Sequence, residues 1–226
     1  MSHNISKKIK KNIVKTNQLL LQKEIALNSG FAKCIDLKIT SSKEKCFARS
    51  VGEYCRTYSK ILEQKEFLLI LKDLGIIQAT YETSRDNKTI TSCSLIYYPN
   101  PGVQKGESSL FEKEFSEEQL LQFSRNFDSK YIRIDANPKF HKEILHPSTH
   151  LHIGIFSTGR IVLRHIPSYS EFVDFILFLY YPNEWKKFND ICDKGDINNF
   201  YKKRCLPKLA KSLLTNKEEM HYTLNL

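Results

Sequence analysis

The alternation of apolar and polar positions divides the chain into a helical start, a strand-rich middle and a basic end. Over residues 5–28, Ile9, Ile13, Leu20, Leu21 and Ile25 recur near a 3.6-residue period, and Asn28-Ser29-Gly30 supplies a stop, which predicts a helix. Lys7, Lys8, Lys10, Lys11 and Lys15 crowd its first turns, where the helix dipole disfavours cations. That end is expected to fray or to meet an acidic partner. A second helix is predicted over 43–64, with Phe47, Val51, Tyr54, Tyr58 and Leu62 on its buried side.

The period then shortens. Residues 67–71 form a continuous apolar run broken by Gly75, 76–83 alternate as far as the Arg85-Asp86-Asn87 turn, and 89–98 form a β-branched run ending at Pro99-Asn100-Pro101-Gly102. Short turns between three strands make an antiparallel meander. Residues 99–110 read as a loop, and Ser116-Glu117-Glu118-Gln119 as a capping box opening a short helix to about 126. Strands are predicted near 131–135, 150–156 and 160–164. A second capping box, Ser168-Tyr169-Ser170-Glu171, opens a helix apolar on nearly every side and therefore expected to lie buried against the sheet. The chain looks helical again from Asp196, and 221–226 could add an edge strand. The fold class is α+β, an antiparallel sheet packed by helices. With no internal repeat or compositional break, 1–226 reads as one domain: a helical part (1–65), a sheet core (66–185) and a basic helical end (186–226).

Composition narrows the partners. Forty-one per cent of the 226 residues are hydrophobic, enough for a core. No apolar run reaches the roughly 18 residues a membrane span requires, and the basic start lacks a secretory signal's apolar core, so a cytoplasmic protein with no membrane partner is expected. The six cysteines form no C-x-x-C pair and read as reduced, small apolar fillers. A net charge of +10 makes nucleic acid the first partner to consider. A genome bias towards Lys, Asn and Ile would give the same charge without any ligand. Walker, G-x-G-x-x-G, G-x-S-x-G and H-E-x-x-H signatures are absent, which removes the common nucleotide-binding and hydrolase readings.

Candidate chemistry concentrates in YIRIDANPKFHKEILHPSTHLHIGIF. Arg133 and Asp135 share one face of their strand, and His150 and His152 share one face of the next. If the strands pair with apolar faces together, all four converge, and His146 lies in the connection. Gly154 would leave room for a ligand. Asp135, His150 and His152 could hold a divalent metal, with His146 as an alternative ligand. Equally, with no metal, one histidine could act as general base and another as general acid while Arg133 or His146 contacts phosphate. The competing reading is structural: an Arg133–Asp135 ion pair and histidines that knit the sheet. Arg160, Arg164 and His165 could line the same cleft and bind phosphate, although a solvated strand edge is the simpler expectation. Lys202, Lys203 and Arg204, with Lys208 and Lys211, could form a nucleic-acid surface or merely a solvated helix face. Tyr97 and Tyr98 could stack on a base, though core packing is the simpler expectation.

YIRIDANP, followed by HPSTHLHIG and the aromatic EFVDFILFLYYP, resembles a bacterial family known only as a domain of unknown function. FLLILKDLGIIQATYE and LIYYPNP fit the strand meander that precedes its motif, and the resemblance spans about 50–185. More loosely, Arg133, Asp135, His150 and His152 are similar to the R-x-D and H-x-H elements of TumE-like toxins of bacterial toxin–antitoxin pairs. That likeness implies a toxin or antiphage-defence effector acting on RNA, with an antitoxin or defence-system subunit as protein partner. The alternative is a non-enzymatic sensor or adaptor that binds through its basic surfaces.

Overall fold

The computed structural model describes residues 4–35, 38–41, 51–102, 130–142, 146–155, 159–190 and 223–224. Its first helix, α1 (Ile5–Gln22), places Ile5, Ile9, Ile13 and Leu20 in the core, as the period requires. Its first turn is tied down rather than frayed. The Asn4 side chain accepts from the Lys7 N–H, the Ile5 N–H donates to the Asn87 carbonyl at 3.0 Å, and Ser6 donates to the Asn87 side chain. The helix also stops earlier than its apolar spacing predicts. Glu24 adopts φ 54°, Ile25 N–H returns to the Leu20 carbonyl and Glu24 N–H to that of Leu21, a Schellman closure. Ile25 packs inward beyond the reversal, so its place in the helical pattern is fortuitous.

Beyond α1 the chain forms sheet, first inside the span read as helix and then where the pattern assigns no element: β1 (Ala26–Ser29), β2 (Lys33–Ile35) and β3 (Lys38–Thr40). Three- and four-residue strands are too short to show a period. Gly30, just after β1, is demanded by close approach, since a Cβ there would lie 1.9 Å from the Phe67 carbonyl oxygen. Helix α2 (Val51–Glu63) buries Tyr54, Cys55, Tyr58 and Ile61, while Leu62 is only half-buried. The earlier part of that predicted helix lies outside the described residues, as do the helices expected over 116–126 and from 196.

The predicted meander is present as β4 (Leu69–Leu71), β5 (Ile76–Thr83) and β6 (Ile90–Tyr98), followed by β7 (Ile132–Ala136), β8 (Thr149–Ile153) and β9 (Ile161–Leu163). Helix α3 (Tyr169–Tyr180) opens on the predicted capping box, with both of its reciprocal bonds made. It buries Phe172, Val173, Ile176 and Leu177 but leaves Phe178 and Leu179 exposed, so it is half-covered rather than engulfed. Helix α4 (Pro182–Phe188) is an element the pattern does not announce, because Pro182 resembles a breaker, although proline is well tolerated in a first turn. Thr223–Leu224 forms the expected edge strand, β10.

Among the described residues the strands join one ten-stranded sheet of order β1-β4-β5-β6-β7-β8-β9-β10, with β3 attached to β5 beside β4 and β2 paired to β3. All pairings are antiparallel except β9–β10. The protein is thus α+β, with a larger sheet than its sequence advertises. Register sorts the side chains. One face carries the rows Ile77–Tyr97–Ile132 and Ala79–Leu95–Ile134–Leu151, packed under α1, α3 and α4. The opposite face has two ends. Ile70, Ile76, Ile96 and Tyr98 lie against α2, with Tyr131 beside them, whereas Thr40–Thr80–Ser94–Asp135–His150 forms a polar row across five strands. Tyr97 and Tyr98 are core residues on opposite faces, each 1% exposed, and have no surface on which a base could stack.

Candidate functional site

The β7–β8 pairing sets Arg133 opposite His152 and Asp135 opposite His150. The four polar residues therefore meet on one face because Ile132, Ile134 and Leu151 must fill the other. Tight closure of the pair follows from the Gly154 N–H, which donates to the Tyr131 carbonyl at 2.8 Å while Gly154 holds φ 86°. That conformation, which side-chain-bearing residues rarely adopt, is what requires glycine here.

The histidines are buried, His150 at 2% exposure and His152 at 4%. His150 Nδ1 lies 2.9 Å from the Pro147 carbonyl oxygen, which can only accept. Nδ1 therefore carries the proton, and Nε2 keeps its lone pair. Among the described residues, His152 has no hydrogen-bond partner at either ring nitrogen. A buried polar atom without a partner costs about 1–3 kcal/mol, and no hydrogen bond among the described residues offsets that cost at this position. Asp135 accepts from Ser94 Oγ at 3.0 Å through Oδ1, and its Oδ2 lies 2.8 Å from Arg133 Nε. The ion pair expected from the sequence is thus present. One donor atom from each of Asp135, His150 and His152 falls within 4.8 Å of the others. Two imidazoles and a carboxylate form a donor set of the kind that holds a divalent transition metal. The carbonyl on His150 and the hydroxyl on Asp135 supply the orienting bonds such ligands use.

Burial, the largest influence, lowers the basicity of both imidazoles. It depresses His150, and it takes His152 down to about 4, with Arg133 and His150 pushing the same way and Asp135 opposing. Both rings are accordingly neutral near pH 7. The neutral rings can accept a proton or bind a metal, and neither rests as an imidazolium.

His146 does reach the cluster, its ring packed edge-to-face on His150 at 4.9 Å between centroids, as His150 is on His152 at 4.8 Å. Arg160 is exposed yet close enough that its charge depresses both His150 and His152. Arg164 is exposed beyond the end of β9, with no contact to the cluster among the described residues. His165 sits 3.8 Å from Glu171 in the α3 capping box. Neither joins the site. Lys202, Lys203, Arg204, Lys208 and Lys211 lie outside the described residues. Ser94 and the Pro147 carbonyl belong to the cluster without having been expected there. The alternation of Ser92 and Ser94 along β6 is the available signal for Ser94, whereas a backbone acceptor leaves no trace in sequence.

Fold and site together define an α+β protein whose sheet buries a two-histidine, one-carboxylate cluster on one face. The chain belongs to the family of uncharacterized conserved proteins DUF2290, which it matches over residues 20–226. The match extends past both ends of the resemblance read over 50–185 and takes in the basic C-terminal part. No curated protein matches the chain. No solved structure matches it either. Among the described residues, no helix is long and apolar enough to cross a membrane. Cys55 and Cys93 are buried, and burial raises the Cys55 thiol to about 11, which suits a filler rather than a nucleophile.

Proposed function

We propose that the protein is a toxin or antiphage-defence effector that cleaves or modifies RNA by phosphodiester chemistry at the Asp135–His150–His152 cluster. The observation that carries this reading is His152, buried at 4% with both ring nitrogens unpartnered among the described residues and set within a group of metal-competent donors. A divalent metal held there would polarise a phosphoryl oxygen and activate a bound water. Arg133 and Arg160 supply positive charge for a phosphate, and His146 contacts it. The looser likeness of R-x-D and H-x-H to TumE-like toxins points the same way, with an antitoxin or defence-system subunit as protein partner.

Inducible expression of the wild type beside His150→Ala/His152→Ala, following growth and the integrity of total RNA, tests the reading. Growth arrest with fragmented RNA in the wild type alone supports it, and incubation of purified protein with RNA with and without a chelator then assigns the metal's part. Intact RNA in both, in cells and in vitro, overturns it.

A second reading keeps the nucleic acid and drops the reaction, making the protein a sensor or adaptor that binds through basic surfaces. Helix α1 favours it. Lys7, Lys11 and Lys15 recur every four residues, about 6 Å apart along the axis, and the helix contains no acidic residue. Like charges at that spacing destabilise a helix, yet the first turn is held by Asn4 and Asn87. With the helix's apolar stripe committed to the core, its lysines offer a sequence-independent contact for a phosphate backbone. Here Lys7→Glu/Lys8→Glu/Lys11→Glu/Lys15→Glu, or charge reversal at Lys202, Lys203 and Arg204, abolishes function while the histidine variants are silent.

A further inference from the structure

The charges around the cluster conflict with the ion its ligands suit. The Arg133 guanidinium sits on the one carboxylate, Asp135, and the charge of the exposed Arg160 also reaches His150 and His152. On these residues alone the cluster is net positive and attracts an anion before a cation. Its carboxylate is also already engaged, Oδ1 by Ser94 and Oδ2 by Arg133. Geometry adds a second mismatch. A tetrahedral metal with donors at about 2.1 Å places any two of them about 3.4 Å apart, whereas here the donor atoms spread to as much as 4.8 Å. Closing the set requires one donor to move inward by up to about 1.4 Å, the difference between those separations. His150 is pinned by the Pro147 carbonyl and Asp135 by the Arg133 guanidinium. Of the two restraints, only the second can be exchanged for another partner, because a guanidinium binds phosphate as readily as carboxylate.

We propose that Arg133 is a latch coupling metal binding to an anionic substrate: a phosphate entering the cluster takes the Arg133 guanidinium, and the Asp135 carboxylate so released completes the metal's ligand set with His150 and His152. The inference rests on the metal reading of the cluster and adds to it an order and a cooperativity. The anion raises metal affinity, and by linkage the metal raises anion affinity by the same factor. No covalent bond is made or broken in the exchange; one ion pair replaces another. A cell that holds the protein without its substrate would then hold it largely without its metal.

Cobalt(II) titration of the full-length, metal-stripped protein, read by its visible absorption, tests the latch. The titrations are run alone, with inorganic phosphate, and with a short RNA oligonucleotide. Wild type is expected to bind cobalt at least about tenfold more tightly with phosphate or RNA present, a typical coupling between two sites. Arg133→Gln, which leaves Asp135 without its cation, is expected to bind cobalt tightly without an anion and to lose the anion's effect. His152→Leu should bind none at the cluster. Coupling by RNA alone would mark the anion as a phosphodiester in a polymer, and coupling by both would mark any phosphate. Equal cobalt affinity with and without anion in the wild type overturns the latch and leaves the metal reading standing. Should Arg133→Gln fail to fold, that wild-type comparison still decides. No cobalt bound by any folded variant under any condition overturns both.

Discussion

The two faces of β7 follow different rules within the same five residues. Ile132, Ile134 and Ala136 are at most 1% exposed among apolar neighbours from β6 and β8, under α1 and α3. Arg133 and Asp135, alternating with them, face Ser94, His150 and His152. Removing the apolar side from water drives folding, at roughly 25 cal/mol per Å². Burying the polar side costs stability wherever a partner is missing, as at His152. A fold optimised for stability alone would carry the first pattern on both faces, as it does where Ile76, Ile96 and Tyr98 meet α2. The departure at one end of one face is where the candidate site lies.

Substitution on each side separates these roles. Leu95→Ala, in the middle of the apolar face, should lower unfolding free energy by about 2–5 kcal/mol in a denaturant titration. His152→Leu should do the opposite, holding or raising stability by up to about 1–3 kcal/mol, because it replaces an unpartnered imidazole with an apolar side chain of similar size. A clear loss would instead mean that His152 knits the sheet, and the contrast between the faces would disappear. The same variant should flatten the dependence of stability on pH. His150 and His152 bind protons less readily folded than unfolded, so between about 6.5 and 4 the unfolded chain holds more protons and stability falls as the pH falls. Without His152, part of that slope should vanish from melting curves recorded across the range. The smallest effect concerns α1: Asn4→Ala should cost about 1 kcal/mol by removing its cap on the Lys7 N–H, measured as a fall in melting temperature.

Elements long enough to display a period are legible from residues alone. The alternation marks β5 to its bounds and β6 to within a residue, the capping box announces α3, and buried isoleucines announce α1. Strands β1, β2 and β3 are not legible, because three or four residues cannot distinguish a period of two from one of 3.6. The end of α1 escapes the pattern because a left-handed Glu24 carries no mark in its identity, unlike a glycine. At the cluster, alternation alone puts Arg133 with Asp135 and His150 with His152.

Which residue of β7 faces which of β8 is a matter of register, fixed only when both apolar faces are buried together against α1 and α3. The sequence by itself determined the residue types and the face each would share. Tertiary structure decided how deeply they are buried, that His150 is oriented by a backbone carbonyl, that His152 lacks a partner among the described residues, and that Arg133 holds Asp135. Burial and the missing partner depend on segments far apart in the chain, while the contacts between near neighbours, His150 with Pro147 and Arg133 with Asp135, depend on a backbone conformation that alternation does not record.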